Sequence, residues 1–202
     1  YAWQISVEAA AEMLIALLPD QAAQVRANAA AFSAQLDLLT EWAETAMSTV
    51  PQGQRALVTS HDAFQYFAIL FGWAVVPVQG ISTAAEAGVG DVQAVIDFVL
   101  ENDVPVLFVE SSVSPATIEA VRAGVTAAGG TVRLGVRELY SDAMDSPDNF
   151  GGTYIGMFAS NVYTVLTSFA CAGVAVTIPE WDDALGAPPP ADILSPDCSA
   201  GD

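Results

Sequence analysis

The 202-residue chain contains no lysine, and its only permanent cations are five arginines, against 24 aspartates and glutamates. The resulting net charge of −19 makes the chain a poor partner for nucleic-acid phosphates and for anionic lipid surfaces. An acidic field attracts cations instead, although a solvated acidic surface that only aids solubility explains the charge equally well. Hydrophobic residues make up 53% of the chain, which excludes intrinsic disorder for most of it.

Cysteine and histidine are also scarce. The two cysteines, Cys171 and Cys198, fit either a disulfide made in an oxidising compartment or two unrelated free thiols. No CxxC pair suggests a zinc knot, and no GxGxxG, Walker or GxSxG motif suggests a nucleotide loop or a serine hydrolase. Residue 1 is tyrosine and no signal-peptide pattern remains, which indicates a processed chain, with its export signal removed, or a fragment.

A membrane span is the first alternative that the charge pattern raises. Residues 149–179 carry no charged side chain, and this length could cross a bilayer. Glycine, serine, threonine and asparagine make the segment polar by membrane standards, however. We therefore predict a buried amphipathic helix over residues 154–169 instead.

The hydrophobic pattern predicts an α/β fold: a parallel four-stranded sheet with helices on both faces, preceded by a long helix. Apolar residues at steps of three and four predict one helix over 2–18 and another, roughly 45 Å long, over 20–49. Four strand-and-helix alternations follow, with strands at 55–60, 74–78, 105–109 and 131–139. We divide the chain into helices (1–52), an α/β lobe (53–170) and an irregular, solvated acidic tail (171–202).

Chemically useful side chains follow the predicted strands. His61 comes after the first strand, Glu86 lies in the loop after the second, Glu110 follows the third and Asp142 follows the fourth. Ligand sites in open α/β sheets lie at the carboxyl ends of the strands. Because imidazole and carboxylate groups bind zinc, manganese or ferrous iron, these positions predict a metal site. The structural alternative is that His61 only bonds to its neighbours at a helix start.

Five motifs occur in an order that resembles the metal-binding solute-binding proteins of zinc and manganese ABC importers, the TroA-like group. They are LVTSHDAF at 57–64, QGIST at 79–83, FVESSVSP at 108–115, ELYSD at 138–142 and GTYIGM at 152–157. The resemblance runs from about residue 3 to about residue 169. It implies two α/β lobes joined by a long rigid helix, with the metal between the lobes, and it makes the helix at 20–49 the connecting helix.

The resemblance also implies roles for single residues. His61 matches the ligand of the second lobe and Asp142 the final carboxylate ligand, whereas Glu110 is expected to support a ligand or the fold. The other two ligands are histidines of the first lobe; Tyr1 stands where one of them is expected, and Ser160 replaces a further family histidine. The chain thus resembles a second lobe with half a metal site, either because the first lobe lies outside this sequence or because the protein has changed.

The function that follows is extracytoplasmic, for example periplasmic, capture of zinc or manganese and its delivery to the membrane permease of an ABC importer. No enzymatic activity is expected. The alternatives are an adhesion or structural protein derived from this lobe, and a metal-dependent hydrolase that uses His61, Asp142 and Glu110. His61 in place of glutamate favours zinc, although several motifs resemble the manganese branch. Without the first lobe, we expect weak metal binding and uncovered apolar side chains around Val25 and Phe32.

Overall fold

Two antiparallel helices precede the sheet in the computed structural model, which describes residues 2–82 and 87–201. Helix α1 (Ala2–Leu17) ends before Pro19, a 3₁₀ turn follows at Pro19–Gln21, and α2 occupies Ala22–Met47. Proline lacks the N–H that a continuous helix needs, which separates the two helices here. At 1.5 Å per residue the 26 residues of α2 extend about 39 Å, so the long helix predicted from sequence is present but shorter.

Strands and helices then alternate from residue 56 to residue 171. The elements are β1 (Ala56–His61), α3 (Gln65–Phe71), β2 (Ala74–Gln79), α4 (Val89–Glu101), β3 (Val106–Phe108), α5 (Ala116–Ala127), β4 (Arg133–Leu134) and α6 (Tyr154–Cys171). All strand pairs are parallel, in the order β2-β1-β3-β4. The predicted four-stranded parallel sheet is confirmed.

The fourth strand is much shorter than the predicted 131–139. The backbone N–H of Gly135 still donates to the Leu107 carbonyl of β3. The next N–H, that of Val136, instead donates to the Ser168 hydroxyl on α6. The chain returns to the sheet at Leu139, which forms an isolated parallel bridge with Glu110. A side chain of α6 thus replaces a strand neighbour, which a strand pattern in the sequence does not reveal.

The sheet carries a hydrophobic core on each face because side chains alternate along its strands. Leu57 faces the core formed with α2, α3 and α6, whereas Val58 faces the core formed with α4 and α5. Most of α6 is buried, which accounts for the uncharged stretch of sequence. No helix among the described residues is long and apolar enough to cross a membrane.

Helix α1 folds back along the first half of α2, and its start is held by Trp3, whose ring stacks on Tyr154 at 4.8 Å. Val25 and Phe32 are half-buried and face α1 across a small cavity. The expectation that these two side chains would be uncovered is therefore wrong. The exposed apolar residues of α1 are instead Trp3, Ile5, Met13, Leu14 and Leu17.

The C-terminal segment is mostly irregular and exposed, although parts of it pack onto the body. Three short helical turns occur there, at Asp183–Leu185, Ala191–Leu194 (α7) and Cys198–Gly201. Leu185 is buried, and the Trp42 indole N–H donates to the carbonyl of Pro179. Cys171 and Cys198 form a disulfide, which decides between the two alternatives that the sequence left open.

Candidate metal centre

His61 is the last residue of β1, and its side chain is buried at the carboxyl-terminal end of the sheet. Thr59 pairs with Phe108 on β3, so two residues further on His61 lies beside Glu110. The backbone N–H of His61 donates to Glu110 Oε1 at 2.8 Å, and its Nδ1 lies 2.6 Å from Glu110 Oε2. Both oxygens of one carboxylate therefore face the same histidine.

Glu110 is only 1% exposed. Burial raises the pKa of the Glu110 carboxyl, and the backbone N–H and the nearby imidazole of His61 oppose that rise. A carboxylate beside Nδ1 favours the tautomer that carries the ring proton on that nitrogen, in which Nε2 keeps a free lone pair. Glu110 thus contacts the ring nitrogen that does not face Asp142.

Asp142 completes the contacts of the imidazole. Its Oδ2 lies 3.3 Å and its Oδ1 3.4 Å from His61 Nε2, and the side chain is 56% exposed. Two ligand atoms at about 2.1 Å from a tetrahedral zinc ion would be about 3.4 Å apart. The structure therefore brings His61 and Asp142 together, as expected from the strand ends, at a separation that suits a shared metal ion.

Two further side chains contact the segment that carries Asp142. The sequence did not identify either of them as a site residue. The Ser112 hydroxyl lies 2.5 Å from that of Ser141 and donates to Asp142 Oδ2 at 3.5 Å. Asn161 on α6 bonds to the backbone of Tyr140, two residues before Asp142. Ser112 belongs to the motif at 108–115 of the family resemblance. The partners of both side chains lie 21 to 30 residues away and could not be read from the sequence.

The remaining candidates do not complete a coordination shell. Tyr1 and Glu86 lie outside the described residues. Ser160 is buried within α6, and its hydroxyl does not replace the imidazole of the family histidine. Within residues 2–82 and 87–201, no group of three or more His, Cys, Asp or Glu side chains could hold a metal ion.

A largely apolar cavity begins beside Ser141, the residue next to Asp142. A cavity of about 400 Å³ extends from Ser141 along α3 and α6 to the start of α1, and Phe67, Phe158 and Leu39 are among its lining residues. Tyr66 and Ile69 on α3 are 80% and 74% exposed beside it. Ser141, the residue before Asp142, therefore lies at the edge of this apolar cavity.

The chain matches a known protein family and several of its members. The family model described as ZnuA, zinc-uptake complex component A, periplasmic, matches residues 1–167. The zinc-binding protein TroA of Treponema pallidum is 38% identical over 168 residues, which are 83% of this chain and 54% of that protein. The manganese-binding lipoprotein MntA of Bacillus subtilis is 38% identical over 163 residues, 81% of this chain and 53% of that protein.

Solved structures show the same relationship. The periplasmic zinc-binding protein TroA from Treponema pallidum superposes with a TM-score of 0.79 at 38% identity, covering 82% of this chain and 59% of that one. The chain spans about half the length of the curated relatives it matches. On the sheet topology, the ordered motifs and the matched family model, this chain belongs to the ZnuA family of periplasmic metal-uptake components.

Proposed function

We propose that this chain supplies one half of the binding site of an extracytoplasmic metal-capture protein, which delivers zinc or manganese to the permease of an ABC importer. His61 Nε2 and an Asp142 carboxylate oxygen are the metal ligands on this half. Glu110 orients the imidazole through Nδ1. The ion is cargo, taken up and released, and the further ligands come from outside the described residues.

The observation that carries this proposal is the separation of 3.3 Å between His61 Nε2 and Asp142 Oδ2, with a buried carboxylate oxygen 2.6 Å from Nδ1 of the same ring. Metal-binding histidines commonly have a carboxylate or carbonyl at the other ring nitrogen, which sets the ring orientation and tautomer. A structural histidine at a helix start needs neither feature.

The hydrolase alternative is less well supported by the same contacts. Such an enzyme needs a general base within reach of a metal-bound water. Glu110, the residue available for that role, is buried and both of its oxygens face His61. Asp142 would already be a ligand, so no carboxylate among these three residues is left to activate water.

The single histidine of the chain allows a direct test by NMR, since every imidazole signal belongs to His61. Titration with Zn²⁺ should shift the Nε2 resonance while Nδ1 keeps its proton. Calorimetry should show weak binding because the described residues supply only two ligands. His61→Gln and Asp142→Asn should each weaken binding. Mn²⁺ should selectively broaden the same ring signals.

The high negative charge makes nonspecific cation binding the main confounder. Asp148→Asn is the matched control, because Asp148 is an exposed carboxylate on the same loop, away from His61. It removes the same charge as Asp142→Asn and should leave the His61 shifts unchanged. Equal loss of binding in the two variants, or no His61 response to Zn²⁺, would overturn the proposed site. If the His61 signals do not respond to Zn²⁺, an adhesion or structural role is favoured instead.

A further inference from the structure

The side chain of Asp142 has few contacts that could define its position. It is 56% exposed, and its polar contacts with His61 and Ser112 are 3.3 to 3.5 Å long. Contacts of that length are weak, so they do not hold the carboxylate in one place. The position of Asp142 must therefore come from its backbone.

That backbone leaves the sheet just before Asp142. Leu139 still makes strand-like bonds, donating to the Val109 carbonyl and accepting from the Ser111 N–H. Tyr140, the next residue, has its N–H and its carbonyl turned away from β3, towards α6. Without partners there, the 2.5 Å contact of the Ser141 hydroxyl with that of Ser112 would be the main polar restraint on the segment beyond Leu139.

Asn161 supplies both partners. Its Oδ1 accepts from the Tyr140 N–H at 2.9 Å, and its Nδ2 donates to the Tyr140 carbonyl at 2.8 Å. The side chain is 5% exposed and lies on α6, a helix that is buried along most of its length. A single amide group thus takes the place of a neighbouring strand, on a rigid element, two residues from Asp142.

We propose that Asn161 is a positioning residue for metal binding: its two bonds to Tyr140 place the Asp142 carboxylate opposite His61 Nε2. This inference rests on the proposed function of the His61–Asp142 pair. Asn161 does not touch the ion, and it acts through the backbone of residues 140–142. Its loss removes both bonds that hold the Tyr140 backbone and leaves both proposed ligands in place.

The test measures Zn²⁺ affinity from the ring signals of His61 in Asn161→Leu, a variant of similar size that makes neither bond. We expect affinity to fall about tenfold or more, the range that changes beside a metal ligand commonly produce. Thr167→Val is the matched control: Thr167 is buried on the same helix but bonds only to carbonyls within it, so affinity should be unchanged. If Asn161→Leu does not fold, Asn161→Ala gives the same comparison.

A double-mutant cycle separates positioning from general loosening of the fold. In the Asp142→Asn background, Asn161→Leu should cause no further loss of affinity, because the group that it positions is already gone. An equal loss in both backgrounds, or unchanged affinity in Asn161→Leu, overturns the inference while the proposed function stands. If the unsubstituted chain gives no His61 response to Zn²⁺, the proposed function itself fails, and the two failures are therefore distinguishable.

Discussion

Replacing Glu110 by glutamine should change the proton position on His61 while keeping the shape of the site. In the native protein one carboxylate receives the backbone N–H of His61 at 2.8 Å and faces Nδ1 at 2.6 Å. Glutamine offers only one oxygen. Because the backbone N–H is an obligatory donor, it takes that oxygen, and the glutamine NH₂ then faces Nδ1. Nδ1 must become the acceptor, which moves the ring proton to Nε2.

A protonated Nε2 has no lone pair for a metal ion, so Zn²⁺ affinity should fall although both ligands remain. Loss of a partner beside a metal-binding histidine commonly costs about 10- to 100-fold in affinity. Stability should change much less in Glu110→Gln than in Glu110→Leu, which leaves the buried His61 N–H without an acceptor at a cost of about 1–3 kcal/mol. The two substitutions therefore separate the tautomer effect from destabilisation.

The assay is the ¹⁵N spectrum of the His61 ring, which distinguishes a protonated from an unprotonated nitrogen at each position. Native protein should show the proton on Nδ1 and Glu110→Gln should show it on Nε2, with Zn²⁺ affinity reduced in parallel. Chemical denaturation of both variants supplies the stability comparison. If Glu110→Gln keeps the Nδ1 proton, or binds Zn²⁺ as the native chain does, the argument that Glu110 sets the tautomer is refuted.

Three further predictions concern the scaffold. Leu39→Ala should destabilise the chain by about 2–5 kcal/mol in urea denaturation, because the Leu39 side chain is 2% exposed. Leu17 is 74% exposed, so Leu17→Ala should change the unfolding free energy by no more than about 0.5 kcal/mol. Equal effects of the two substitutions would contradict the assigned packing of α2. The Cys171–Cys198 disulfide links residues 27 positions apart, and its reduction should lower the unfolding free energy by about 3–4 kcal/mol. An unchanged thermal midpoint after reduction would contradict this prediction. The exposed apolar residues of α1 should cause self-association that increases with salt, because salt screens repulsion between chains of charge −19; sedimentation showing a monomer at all salt concentrations would contradict this.

The order of elements and the position of the candidate site were predictable because they depend on local patterns. Apolar residues at helical and strand spacing predicted the alternating architecture, and parallel strands necessarily end at the same end of a sheet. His61 and Asp142 were therefore expected to meet from their places after the first and fourth strands. Strand four was predicted too long because its apolar residues pack on α6 beyond the point where strand pairing stops.

The sequence by itself determined the fold class and the residues available for metal binding, since the hydrophobic period and the succession of strands and helices along the chain are properties of neighbouring residues. The tertiary structure decided which atoms meet: Glu110 with Nδ1 and Asp142 with Nε2 of His61, and Asn161 with the backbone of Tyr140. It also decided the cysteine pairing and the packing of the tail. The contacts of His61 and Tyr140 join residues 21 to 81 positions apart, and they depend on strand register and helix rotation, which local patterns do not specify.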